Sequence, residues 1–62
     1  MKYSEVEKKL KQSGCFFKRA GKRHDIWYSP ITNKLFQLPR HKSQEAKKGT
    51  VRDISEKSGV KL

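Results

Sequence analysis

Cysteine is almost missing from this chain. Cys15 is the only one, so no internal disulfide and no thiolate zinc cage can form. Long apolar runs are missing as well: the N-terminus has no hydrophobic stretch of a secretory signal, and no segment approaches a membrane span. A cytoplasmic location is the expectation, with no membrane partner. Histidine is represented by His24 and His41 alone, and with the scattered carboxylates they show no metal-ligand spacing, so no metal and no cofactor are expected.

Acidic residues are scarce too. Six Asp and Glu face sixteen Lys and Arg, a formal charge of +10 at pH 7. Such a field attracts polyanions and speeds encounter with them. Nucleic acid is the leading partner and an acidic protein the second. An anionic membrane surface ranks third, because no segment joins a long apolar face to basic residues.

Sixty-two residues allow one domain, spanning 1–62. A chain this short buries only about 60% of its unfolded surface, which leaves a thin core and no room for a deep enclosed pocket. A site on an open surface that takes a large substrate fits better. Hydrophobic content of 32% with high charge leans towards disorder, but the apolar residues are grouped between clear turn and cap signals. The chain is therefore expected to fold.

Ser4-Glu5-Val6-Glu7 reads as a capping box, with Val6 and Leu10 on one helical face and Tyr3 a turn earlier. Gly14 suits the left-handed stop. Cys15 to Ala20 alternates like a strand, Gly21 and Lys22 turn the chain, and His24 to Ser29 would pair antiparallel to it before Pro30. Thr32-Asn33 makes another turn into a third strand, Lys34 to Leu38, stopped by Pro39. Arg40 to Lys48 reads as a basic loop with room for one turn of helix. Thr50 then caps a second helix with Val51 and Ile54 inward and Gly59 as its stop, after which Val60 and Leu62 can fold back over the sheet edge. The expected class is α+β: an α-β-β-β-α order with a three-stranded antiparallel sheet packed against two helices, the order of the double-stranded-RNA-binding fold.

The segment Arg19 to Pro30, RAGKRHDIWYSP, concentrates the chemistry. Histidine suits proton transfer because its ordinary pKa of about 6.5 lies near working pH. Lysine and arginine supply charge for a phosphorane-like transition state. His24 beside Lys22 and Arg23, with Arg19 across the hairpin, provides these groups on one turn. His24 is the candidate catalytic residue. Arg19, Lys22, Arg23, Arg40, His41, Lys42 and Lys48 are the candidate RNA-binding residues. A plainer reading makes the same turn a phosphate-contacting surface of a non-catalytic RNA-binding module, and Arg40 to Lys48 a solvated loop. Trp27, Tyr28, Phe16, Phe17 and Phe36 can stack on bases, but so small a domain is expected to keep most of them inside. His24, Ile26 and Tyr28 share one face of the second strand and Trp27 takes the other. Cys15 reads as a small core residue.

These residues resemble a known family. Ser4-Glu5-Val6 and Leu10, Gly14 followed by Arg19 and the His24 turn, Pro30, Leu38-Pro39 with His41, and Lys48-Gly49-Thr50-Val51-Arg52 with Ile54 and Gly59 are similar to the HicA (YcfA/HicA) toxins of bacterial type II toxin–antitoxin systems. The family's catalytic histidine follows a Gly-Ser pair and precedes an apolar or aromatic run; here His24 holds that position behind Lys22-Arg23, with Gly21 one place earlier. The resemblance implies an mRNA interferase with the double-stranded-RNA-binding-like fold. It also implies RNA cleavage without a metal, and a HicB-like antitoxin partner that covers the active face. The free toxin is expected to be monomeric.

Overall fold

The computed structural model describes residues 1–62 and follows the expected order: α1 (Tyr3–Gln12), β1 (Phe16–Ala20), β2 (Asp25–Ser29), β3 (Lys34–Leu38) and α2 (Lys48–Ser58). The strands form one antiparallel sheet in the order β1-β2-β3. Both helices contribute to a single cluster of eight buried apolar side chains, Val6, Leu10, Cys15, Trp27, Phe36, Leu38, Ile54 and Val60. Trp27 of β2 stands directly opposite Phe36 of β3, so these two face the helices together. No helix is long and apolar enough to cross a membrane.

The glycines stop both helices where expected. Gly14, at φ +95°, donates its N–H to the Lys11 carbonyl, and the next residue, Cys15, donates to Leu10. These two bonds close the last turn of α1 in a Schellman arrangement. Gly59, at φ +73°, ends α2 with the simpler single bond, donating its N–H to the Ser55 carbonyl.

The helix starts lie earlier than the capping motifs suggest. The N-cap of α1 is Lys2, and Glu5 rather than Glu7 accepts the returning backbone N–H, from Lys2 at 3.3 Å. The reason is tertiary. The Ser4 amide, which the capping box assigns to the Glu7 side chain, donates instead to the Lys42 carbonyl at 3.0 Å, and the Tyr3 amide beside it donates to Gln44 at 3.1 Å. A backbone partner from a distant loop satisfies the orphan donors that a side chain would otherwise take. Helix α2 also starts early, without such a distant partner: its N-cap is Lys47, Val51 donates to the Lys47 carbonyl at 2.9 Å in an ordinary intrahelical bond, and Thr50 lies within the first turn.

The aromatics divide in an unexpected way. Trp27 and Phe36 are buried, but Phe16 and Phe17 are about half exposed, at 48% and 51%. Strand β1 is an edge strand, and α2 packs mainly over β3 rather than over it. A bulge between Phe17 and Arg19 also breaks the simple alternation. Arg19 pairs with Ile26 and Phe16 with Tyr28, so all four lie on the face away from the helices. The Phe16 and Tyr28 rings meet there with centroids 5.4 Å apart. The strand pattern alone had placed Arg19 with Phe17.

At its far end α2 is tied to the β2–β3 turn. Ser29, fully buried, donates its hydroxyl to the Ser58 carbonyl, and Thr32 donates to Lys57 at 2.6 Å. These bonds satisfy carbonyls that the helix terminus leaves unpaired. Gly59 sits so close to this turn that an added Cβ would lie 2.9 Å from methyl carbons of Ile31 and Thr32. At Gly49, in the first turn of α2, an added Cβ would meet nothing within 4 Å. The two glycines should therefore respond oppositely. Gly49→Ala is expected to stabilise the fold by about 0.4–1 kcal/mol, whereas Gly59→Ala should destabilise it by more than that. Thermal melting of the two variants beside the unaltered chain checks the sign of each.

Candidate active site

His24 lies one residue before β2, in the turn that closes the β1–β2 hairpin, and not within the strand. The turn is fixed by main-chain contacts. The Gly21 N–H donates to the His24 carbonyl at 2.9 Å. No residue larger than glycine fits at 21, because a Cβ there would collide with that same carbonyl. The imidazole is held half-buried as a result.

Arg40 holds the turn from the other side. Its Nε donates to Asp25 at 2.8 Å, and its terminal nitrogen donates to the Gly21 carbonyl and, at 3.4 Å, to the His24 carbonyl. Asp25 and Arg40 also form an ion pair. Arg40 was chosen from the sequence as a nucleic-acid contact. Its guanidinium instead ties the residue just beyond β3 to the histidine turn.

Two open clefts meet at His24. The first, about 450 Å³, lies where the His24 turn, the end of β3, the 39–47 loop and the start of α2 come together. Its walls carry His24, Gln37, His41, Lys47, Thr50 and Asp53. The second, about 440 Å³, is lined by Gly21, Lys22, Arg23, His24, Ile26 and Gln37. His24 and Gln37 belong to both, and so form the ridge between them.

The candidate residues thus separate into groups. His24, His41, Lys22 and Arg23 are brought to the two adjoining clefts. Arg19 lies exposed on the open sheet face, opposite Ile26. Lys42 points its ammonium at Glu7, 3.3 Å away, beside the Glu7–Lys11 pair at 3.6 Å. Lys48 lines a different hollow between α2 and both chain ends, with Met1, Arg52 and Leu62. Sequence reading missed Gln37, Lys47, Thr50 and Asp53. With α2 starting at Lys48, Thr50 and Asp53 stand three apart on one helix face. An earlier helix start would have exposed that pair in the sequence.

The Met1 ammonium is raised above its ordinary pKa by donating to Glu45, 2.9 Å away, and that contact holds the Glu45 carboxyl low. No three His, Cys, Asp or Glu side chains gather closely enough to hold a metal ion.

The family model described as "HicA toxin of bacterial toxin-antitoxin" matches residues 3–60. The chain belongs to the HicA toxin family. No curated protein and no solved structure matches it. The matched span takes in both clefts and every element of the fold, so the HicA assignment covers the whole candidate site. A HicA toxin is one half of a toxin–antitoxin pair, and the chain accordingly has an antitoxin partner.

If Arg40 acts as a staple, Arg40→Met should loosen the HicA histidine turn without unfolding the sheet. The ion pair is partly exposed, so solvent limits its worth to about 1 kcal/mol. The amide of Gly21, which reports the closing hydrogen bond, should exchange roughly fivefold faster. Exchange rates at β2 should stay as they were. Hydrogen–deuterium exchange read by NMR separates these outcomes.

Proposed function

We propose that this HicA-family chain is the ribonuclease toxin of its pair, an mRNA interferase that cuts by acid–base chemistry at His24 without a metal. In this reading it acts on cytoplasmic mRNA, and a HicB-like antitoxin silences it by covering the clefts. The observation that carries the reading is the position of His24. A half-buried imidazole forms the ridge between two open clefts, one of which carries Lys22 and Arg23.

RNA supplies its own nucleophile. A base takes the proton of a ribose 2′-OH, the 2′-oxygen bonds to the adjacent phosphorus, and the 5′-oxygen leaves as the P–O bond breaks. The products are a 2′,3′-cyclic phosphate and a 5′-hydroxyl. Charge builds on the non-bridging oxygens during the displacement, and fixed cations lower its cost. His24 takes the proton, while Lys22 and Arg23 face the phosphate. The clefts are open enough for a polymer, and the net charge of +10 draws it in.

The test is purified protein with a long single-stranded RNA in EDTA, beside His24→Ala. The unaltered chain is expected to cut, and the variant to lose roughly 10²-fold or more of the rate while still binding RNA. Equal cutting by both would remove His24 from the chemistry. Salt-sensitive binding with no cutting by either would make the chain an RNA-binding module.

A further inference from the structure

We propose that His41 is the general acid of this site, delivering the proton to the departing 5′-oxygen from a second segment that lines the same cleft as His24. The inference rests on the ribonuclease reading above. It begins from a geometric requirement of the reaction. In an in-line displacement the attacking and leaving oxygens lie on opposite sides of phosphorus. One imidazole cannot take a proton on one side and give a proton on the other in the same step. A second group is needed, and it must reach the phosphate from another direction.

The first cleft supplies such a group. His24 enters it from the β1–β2 turn, and His41 from the loop that joins β3 to α2. The two positions are linked through the fold. Arg40, the residue before His41, donates to the carbonyls of Gly21 and His24, which fixes that stretch of backbone against the histidine turn. The His41 carbonyl accepts from Gln44 at 3.1 Å, which closes a tight turn on its other side. The His41 side chain itself is exposed to the cleft and has no partner in the protein.

The other groups in this cleft suit the task poorly. Tyr3 is buried, with its hydroxyl facing the Lys47 amide. The Asp53 carboxylate pairs with Lys57 at 3.2 Å. Gln37 and Thr50 do not titrate near neutral pH. A lysine ammonium, ionising ordinarily near pH 10, gives up its proton less readily than an imidazolium, and Lys47 is better fitted to face the phosphate. Lys22 and Arg23 line the neighbouring cleft.

The step balances as follows. Neutral His24 accepts the 2′-OH proton as the 2′-oxygen–phosphorus bond forms. The imidazolium of His41 donates its proton to the 5′-oxygen as the phosphorus–5′-oxygen bond breaks. No electrons enter or leave, and exchange with water returns both rings to their starting states.

A change of leaving group tests the assignment. The cleavage step is first mapped in a long RNA. A second RNA of the same sequence is then made with sulfur in place of the 5′-bridging oxygen at that step. A thiolate leaves without help, because thiols ionise near pH 8.5. His41→Ala is expected to slow cleavage of the ordinary RNA by roughly 10²-fold or more, and to cut the sulfur-substituted RNA at nearly the unaltered rate. His24→Ala is expected to be slow on both. Equal slowing of the two RNAs by His41→Ala would overturn the proposal and leave His41 a binding residue. So would an undiminished rate on the ordinary RNA. If the unaltered chain cuts neither RNA, the ribonuclease reading fails first, before the variants are compared, and the assignment of His41 fails with it.

Discussion

A core of eight apolar side chains can cover only one side of a three-stranded sheet, and most of this structure follows from that limit. Trp27 is the largest of the eight and is almost wholly enclosed, although its indole N–H finds no protein partner. Placing the indole between the sheet and the helices dedicates one face of β2 to stability. The other face, with Ile26 and Tyr28, is left for contact with something else. Helix α2 packs mainly over β3 rather than over β1. The phenylalanines of β1 stay half exposed, because α2 packs over the other two strands. In a chain this short, the boundary between core and working surface runs through the thickness of one sheet.

Precision at the site is supplied by main-chain contacts, since no deep packing is available to give it. The histidine turn is closed by the Gly21 amide, crowded against the Gly21 α-carbon and held by Arg40, which donates to three acceptors on it. The loop that carries His41 is held in turn by the N-terminus of α1, through Tyr3 and Ser4, and by the Ala46 amide on the Met1 carbonyl. The chain's N-terminal end and its longest loop thus brace a site to which the small core contributes little.

Much of the fold could be read from the sequence because its signals were local. Gly14 and Gly59 adopt the left-handed conformations their positions called for, and the alternation of the second strand separates Trp27 from Ile26 and Tyr28 as expected, although it did not say which face is buried. Both helix starts were misjudged, because a distant carbonyl takes the Ser4 amide from Glu7 at one and the helix simply begins earlier than Thr50 at the other. Arg40 looked like its basic neighbours, and nothing in the spacing pairs it with Asp25, fifteen residues away. The Phe17–Arg19 bulge carries no glycine to announce it, so Arg19 was placed on the wrong face. His24 was legible as a candidate, and it does lie where the two clefts meet. The company it keeps was not, since Lys47, Thr50 and Asp53 come to it only through the tertiary fold.

The bulge has a second effect. An exposed edge strand with two phenylalanines invites another chain to pair with it, and repeated pairing of that kind builds aggregates. An extra residue at Lys18 interrupts the regular spacing of outward-facing amides and carbonyls, and strengthens the local twist. The residue so inserted carries a positive charge that a second copy of the chain would have to meet with its own. One insertion thus turns Arg19 towards the open face and also guards the sheet's bare margin against self-association.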